Sequence, residues 1–335
     1  MIGIMTLSLI EALSLSTNIL NKYIGPIIFI LGTIGNIFNL IIFTRRVFFK
    51  HSCSLYFLAT SINNIAMYFI GLSTRILAEG FQVNIFGEYT DVYCKLRTYL
   101  VYTLFAVSSW FYVFASLDRY YSTNQSALKR QRFCSTSMAL KFICLVIIGC
   151  FSVHIHVIIY YQYYLKLDLS NQISLTCTTN SLVYNIFFSF FILIFYSLLP
   201  PIIMSIIGIL TLKNMRQSRQ RINPLIIKQL AKRDINQLRK SLSVQMLTLI
   251  ILTIPHSCYY LYSGFTTSQQ IVKTNLRLEW ETLSLTIVRL LLYINYGSSF
   301  YIQIIISRTF REEFIRIMEN LKRYNFARFF VCMNN

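Results

Sequence analysis

The most reactive neighbours in this chain are an acid and a base in succession. Asp118-Arg119-Tyr120 closes the apolar, aromatic run Ser109-Trp110-Phe111-Tyr112-Val113-Phe114-Ala115-Ser116-Leu117. A guanidinium at the edge of an apolar segment is costly to desolvate alone, so Asp118 is its natural partner. Cys94 lies about 25 residues before Arg119, roughly 37 Å along a helix and close to one tilted bilayer crossing. One helix then carries a cysteine at one membrane face and an Asp-Arg pair at the other. His154-Ile155-His156 puts two imidazoles at i and i+2, which point apart on a helix and make a poor metal pair. Neither a metal-protease helix nor a phosphate-binding loop occurs. No enzyme activity, metal or cofactor is expected.

Composition places this pair in a membrane. The chain has 335 residues, 55% hydrophobic and 13% charged, with mean hydropathy +0.55. Soluble domains carry about 25% charge. The net charge of +19 suggests nucleic acid at first sight. Its distribution argues against that: with the N-terminus outside, about 23 of the 31 Lys and Arg fall on the cytosolic side, following the positive-inside rule. Orientation and attraction to anionic lipid explain the basicity.

The pattern divides into an N-terminal outer segment (1–22), a membrane domain (23–306) and a tail (307–335). Residues 1–22 have no basic start and make a poor signal peptide. Spans are expected over 24–44, 54–77, 94–121, 138–161, 182–212, 242–265 and 283–306. Gly32 and Gly35 offer small faces for helix contact, and Asn36, Asn63 and Asn64 are polar groups that need partners in lipid. Pro200-Pro201 and Pro255 kink their spans. Arg289 has two readings, a functional intramembrane charge or a side chain that snorkels to the boundary. Residues 308–321 form an amphipathic interfacial helix, with Phe310, Phe314, Ile317, Met318 and Leu321 on one face. Cys332 is a lipidation candidate or an unmodified tail thiol.

Asp118-Arg119-Tyr120 at the end of a third span, Cys94 at its spacing and Gly35-Asn36 in the first span together resemble rhodopsin-like (class A) G-protein-coupled receptors. The resemblance implies an all-α seven-transmembrane helix bundle with a short amphipathic eighth helix. It implies a Cys94–Cys177 disulfide, as expected in an oxidising exterior. It implies that Arg119 pairs with Asp118 at rest and then turns to a heterotrimeric G protein, with Pro255 as the sixth-span kink. Asn36, Asn64, Asn295 and Ser299 would form a polar interhelical network, with Asn64 bonding to both Asn36 and Asn295. The basic third inner loop, Lys213 to Lys240, would face the G protein or lie as a solvated charge run.

The sequence departs from the family at several points. Asn64 stands where the family has an aspartate that helps hold sodium, and Val101 where amine receptors have their aspartate. Thr253 replaces the tryptophan toggle, and Ile235 occupies the position of a lock acid. The seventh-span motif is degenerate, Ser299-Phe300-Tyr301-Ile302-Gln303, with Tyr301 out of register, and the span has no lysine for a retinal Schiff base. Leu55-Tyr56-Phe57-Leu58-Ala59 and the polar outer ends resemble invertebrate neuropeptide (FMRFamide-like) receptors. An extracellular peptide is therefore the expected ligand, met by Tyr102, His256, Tyr259, Tyr260 and Arg289. A lipid or odorant-like ligand, and a non-signalling receptor relative, are the competing readings. A seven-span transporter would show repeats and acids in the spans, which are missing. The expected location is the plasma membrane, multi-pass, N-terminus outside, with lipid and G protein as partners.

Overall fold

Serine and threonine set the helix starts. Thr90, Ser135, Ser181 and Thr274 each accept a hydrogen bond from the backbone N–H three residues on, satisfying a donor that the first turn leaves free. In the computed structural model the described backbone covers residues 2–49, 51–83, 90–124, 126–167, 173–221, 227–269 and 273–333. The side chains of 218–243 and 321–335 fall outside that description. With them go most of the third-loop basic run, Leu321 and Cys332.

Among the described residues the chain is a bundle of long helices. Helix α1 joins Ile2–Ile19 to Gly25–Phe43 through a wide turn, Leu20–Ile24. A short α2, Arg46–Phe49, leads to α3, Ser52–Gly80. Then follow α4 (Asp91–Ser122), α5 (Ala127–Phe133) and α6 (Thr136–Tyr160). Strands β1 (Gln162–Leu167) and β2 (Ile173–Thr178) precede α7, which starts at Leu182 and ends at Arg221. The last three helices are α8 (Ile227–Ser268), α9 (Asn275–Ile306) and α10 (Arg308–Met333). The segments Leu7–Phe43, Ser52–Gly80, Asp91–Ser122, Thr136–Tyr160 and Leu182–Gln217 are long and apolar enough to cross a membrane.

Several boundaries differ from expectation. Residues 2–24 are helical and continue into the first span, because no breaker precedes Gly25-Pro26. The π-helical turn at Leu20–Ile24 absorbs the hydrogen bond that Pro26 cannot make. The same reason places a π segment, Ile192–Leu198, just ahead of Pro200-Pro201. Helical structure extends to Arg221 and resumes at Ile227, so little of the expected third loop is irregular. Strands Gln162–Leu167 and Ile173–Thr178 pair antiparallel with Tyr163 opposite Cys177, an element not anticipated from sequence.

Helix α10 turns 98° from α9. Phe310 is buried against Phe43, Phe48 and Phe300, and Phe314 packs on Phe38 and Phe300. Ile317 is buried as expected, whereas Met318 is exposed and lies off that contact face. In the bundle interior Tyr56, Tyr68, Tyr296 and Phe111 are among the largest fully buried side chains. Tyr68 fits because Gly32 and Gly297 leave room for its phenol, and its hydroxyl donates to the Tyr293 carbonyl at 2.5 Å.

Candidate functional site

At one end of α4, Asp118 and Arg119 are 6% and 9% exposed. The expected ion pair between them is not formed. Successive helix residues project about 100° apart, and the start of α3 offers each a different partner. Asp118 lies near Ser52 in the first turn of α3, where the helix dipole favours negative charge. Arg119 Nε donates to Cys53 Sγ at 3.0 Å, and its guanidinium lies 5.4 Å from the Phe57 ring centroid, a cation–π contact. Arg119 Nη1 and Asp118 Oδ1 have no hydrogen-bond partner among the described residues. Cys134 Sγ donates to the Asp118 carbonyl at 3.3 Å, so two thiols flank the pair. Tyr120 stands outside this arrangement, with its ring against Tyr121.

Midway along the bundle, α1, α3, α4 and α9 are clasped by amides. Asn64 Nδ2 donates to Asn36 Oδ1 at 3.2 Å and to the Tyr296 carbonyl at 3.0 Å. Ser108 Oγ donates to Asn64 Oδ1 at 2.5 Å, and Asn63 Nδ2 donates to Ser108 Oγ and to the Leu104 carbonyl, both at 2.7 Å. Asn295 does not join Asn64; its Nδ2 is buried without a partner. The reason is register: the Tyr296 carbonyl takes the Asn64 donor instead. Asn295 and Ser299 line a water-sized cavity of about 10 Å³ with Tyr112 and Gln245. Tyr112 lines that cavity with Ser299, so Ser299 faces the phenol and makes no direct contact with the amide clasp among the described hydrogen bonds. Tyr301 faces α1, donating to the Leu31 carbonyl at 3.0 Å, and does not supply the missing core tyrosine. The Tyr296 hydroxyl sits within hydrogen-bonding distance of Ser109 Oγ (2.9 Å) and Tyr196 Oη (2.7 Å), linking α9 to α4 and α7.

Pro255 lies inside α8. Thr253 there bonds back to the Leu249 carbonyl at 2.6 Å, so the residue in the toggle position is tied to its own helix.

At the other end the expected ligand residues converge. The hydroxyls of Tyr102 and Tyr260 are 2.8 Å apart. His256 packs on Tyr260 at 4.7 Å and on Tyr196 at 5.5 Å, and Tyr259 packs on Tyr260 at 5.8 Å. The Arg289 charge acts on all four, Tyr102, His256, Tyr259 and Tyr260. Arg289 Nη1 lies 3.9 Å from Glu79 Oε1 and is buried without a hydrogen bond among the described residues. A crevice of about 360 Å³ beside Tyr259 is lined by Pro255, Trp280, Glu281 and Val288 among others. Cys94 and Cys177 form a disulfide that fastens β2 to the start of α4.

His154 and His156 make no metal site. His154 Nδ1 bonds to the Cys150 carbonyl at 2.8 Å and His156 Nδ1 to Tyr184 Oη at 2.7 Å. No group of three His, Cys, Asp or Glu able to hold a metal occurs among the described residues.

Sequence reasoning missed Cys53 as the partner of Arg119, Tyr296 as the hub of the middle, and Arg75, Arg97 and Glu79 beside Arg289. Charged residues at span ends were a visible signal for the last three. Nothing in the sequence marks Cys53 or Tyr296.

No curated protein matches the chain. Residues 35–296 match the family described as 7 transmembrane receptor (rhodopsin family), a stretch that takes in the amide clasp, the disulfide, Asp118-Arg119-Tyr120 and the tyrosine cluster. The chain therefore belongs to the rhodopsin family of seven-transmembrane receptors.

Proposed function

We propose that the protein transmits the binding of an extracellular ligand, a neuropeptide, to a heterotrimeric G protein at the plasma membrane. The observation that carries this is the state of Arg119: a buried guanidinium held by a thiol and an aromatic face, with one nitrogen unpaired. Neither partner is a carboxylate, so Arg119 can move to a competing acceptor without leaving a buried charge behind. A ligand that favours a state with this end open shifts the population and presents Arg119 to the G protein. The positive-inside distribution puts Arg119 in the cytosol and the N-terminus outside. The disulfide then lies in the oxidising exterior. The tyrosine cluster of Tyr102, Tyr259 and Tyr260 with His256 offers aromatic anchors for a peptide, and Arg289 an electrostatic one. The wide α10 contact face and its basic residues suit the inner-leaflet surface.

The test is G-protein activation in membranes from cells expressing the chain, screened against an amidated-peptide library, with Arg119→Ala as control. A response lost in the control is expected. Silence with the protein at the cell surface would favour a lipid or odorant-like ligand, or a relative that does not signal.

A further inference from the structure

Three arginines from three helices gather at the disulfide end: Arg75 of α3, Arg97 of α4 and Arg289 of α9. The Tyr293 hydroxyl lies in electrostatic range of all three and of Glu79. Glu79 is the one carboxylate among these groups, and it is already engaged. It pairs with Arg75 and accepts from Asn21 Nδ2 at 3.1 Å, and its ion pair to Arg289 is long, 3.9 Å. Arg97 has only neutral acceptors, Thr74 Oγ1 at 2.8 Å and the Gly71 carbonyl at 3.4 Å. Beyond that long ion pair, Arg289 Nη1 has no hydrogen-bond acceptor among the described residues.

These groups converge by construction. Arg289 and Tyr293 are one turn apart and share a face of α9. Gly71, whose carbonyl receives Arg97, lets the Tyr293 hydroxyl come close; a Cβ there would stand 2.5 Å from it. Among the described residues, three half-buried guanidiniums against one exposed carboxylate leave a like-charge excess at this end of the bundle, which partial desolvation makes costly. A folded protein tolerates that arrangement when an anion completes it.

We infer that Arg289, Tyr293 and Arg97 form a subsite for a carboxylate of the ligand, next to the aromatic wall of Tyr102, Tyr259 and Tyr260. A planar carboxylate matches the guanidinium fork, and its second oxygen can take the phenol proton donor. The unpaired donor is a single nitrogen, which suits one monoanion. The same chemistry is offered by a peptide C-terminus and by an Asp or Glu side chain. That this subsite receives a signalling ligand rests on the function proposed above; that it binds a carboxylate does not.

The first measurement is thermal unfolding of the purified full-length chain in detergent, at constant ionic strength, with about 10 mM N-acetylphenylalanine or its amide. The acid is expected to raise Tm by roughly 3 °C, and the amide by under about 1 °C. Arg289→Gln and Arg97→Gln should lose the acid effect, and Arg289→Lys should keep part of it. Without any probe, Arg289→Gln should match or exceed the wild-type Tm, since it removes a crowded charge. Equal shifts with acid and amide, no shift with either, or an acid shift retained in Arg289→Gln would overturn the inference. So would a fall in probe-free Tm in Arg289→Gln, which would make Arg289 a structural partner of Glu79. A second arm uses matched peptides in the G-protein assay: free acid against amide, and Glu against Gln. It separates a terminal carboxylate from an acidic side chain. An acid-specific Tm shift without signalling defeats the receptor proposal and leaves the subsite standing. Signalling indifferent to ligand charge and to Arg289→Gln does the reverse.

Discussion

The two ends of the bundle handle guanidinium in opposite ways, one burying it and the other gathering it half-buried. At the Asp118 end there is one, and its neighbouring carboxylate turns away to Ser52, leaving Arg119 on a thiol and an aromatic ring. At the disulfide end there are three, and they crowd one carboxylate that is already paired. Each end leaves one guanidinium nitrogen unsatisfied, Arg119 Nη1 and Arg289 Nη1. The difference lies in what would relieve them. A lone cation on neutral partners can be passed to a competing acceptor with little rearrangement. A surplus of cations calls for an added negative charge. One end is built to let go and the other to take hold.

Breaking the disulfide should strain this contrast most. Cys94 and Cys177 are 83 residues apart, and a bridge over that separation is worth about 4 kcal/mol in chain entropy. Cys94→Ser should lower Tm by a corresponding amount and loosen the strand pair and the arginine-rich end. Hydrogen exchange at the Ser108–Ser122 end of α4 should stay near wild type. Equal loosening at both ends would show that they form one cooperative unit.

Cys53→Ala addresses the opposite end. It removes the acceptor of Arg119 Nε, and hydrogen bonds to charged groups are worth about 1.5–3 kcal/mol. Basal G-protein activation should rise by about tenfold. Cys53→Ser, which restores an acceptor, should return it towards wild type. Unchanged basal activity in Cys53→Ala would place the hold on Arg119 in Phe57 alone, which Phe57→Leu would then expose.

Sequence carried the fold further than the sites. Long apolar runs ended by Arg45-Arg46 or Asp118-Arg119 mark helices because charge cannot remain in hydrocarbon. Cys94 and Cys177 were legible through family spacing, and the structure joins them. The five expected ligand residues also meet, because each lies in the half of its span nearest the disulfide. Partner choice was not legible. Asp118 beside Arg119 reads as an ion pair, but helical geometry sends them to different side chains at the start of α3. Asn295 reads as a partner of Asn64, but the Tyr296 carbonyl lies closer. Both outcomes depend on helix rotation by a fraction of a turn, and apolar patterning does not encode rotation that finely. The strand pair β1–β2 was hidden for a different reason, since Gln162-Tyr163-Tyr164-Leu165 lacks the alternation that marks a half-buried strand.

The smallest expected effect lies between the two ends, at Asn64. The family's aspartate there would add a carboxylate midway between the lone arginine and the crowded ones. Asn64 Nδ2 now donates to Asn36 Oδ1 and to the Tyr296 carbonyl. An ionised aspartate only accepts, so in Asn64→Asp both acceptors would face a third oxygen rather than a donor. Rotating the Asn36 amide relieves one clash but gives up its 2.8 Å bond to the Gly32 carbonyl. The Ser108 hydroxyl can still donate to the new group. The net cost should be about 1–3 kcal/mol, the usual value for buried polar groups left unsatisfied. A small cation among these oxygens would remove that cost. Thermal unfolding of Asn64→Asp should therefore be restored in part by sodium at about 150 mM and not by N-methylglucamine at the same ionic strength. Wild type should show no such preference. Sodium sensitivity in wild type would mean that the amide clasp already holds a cation, and the two arginine ends would then share a positive centre between them.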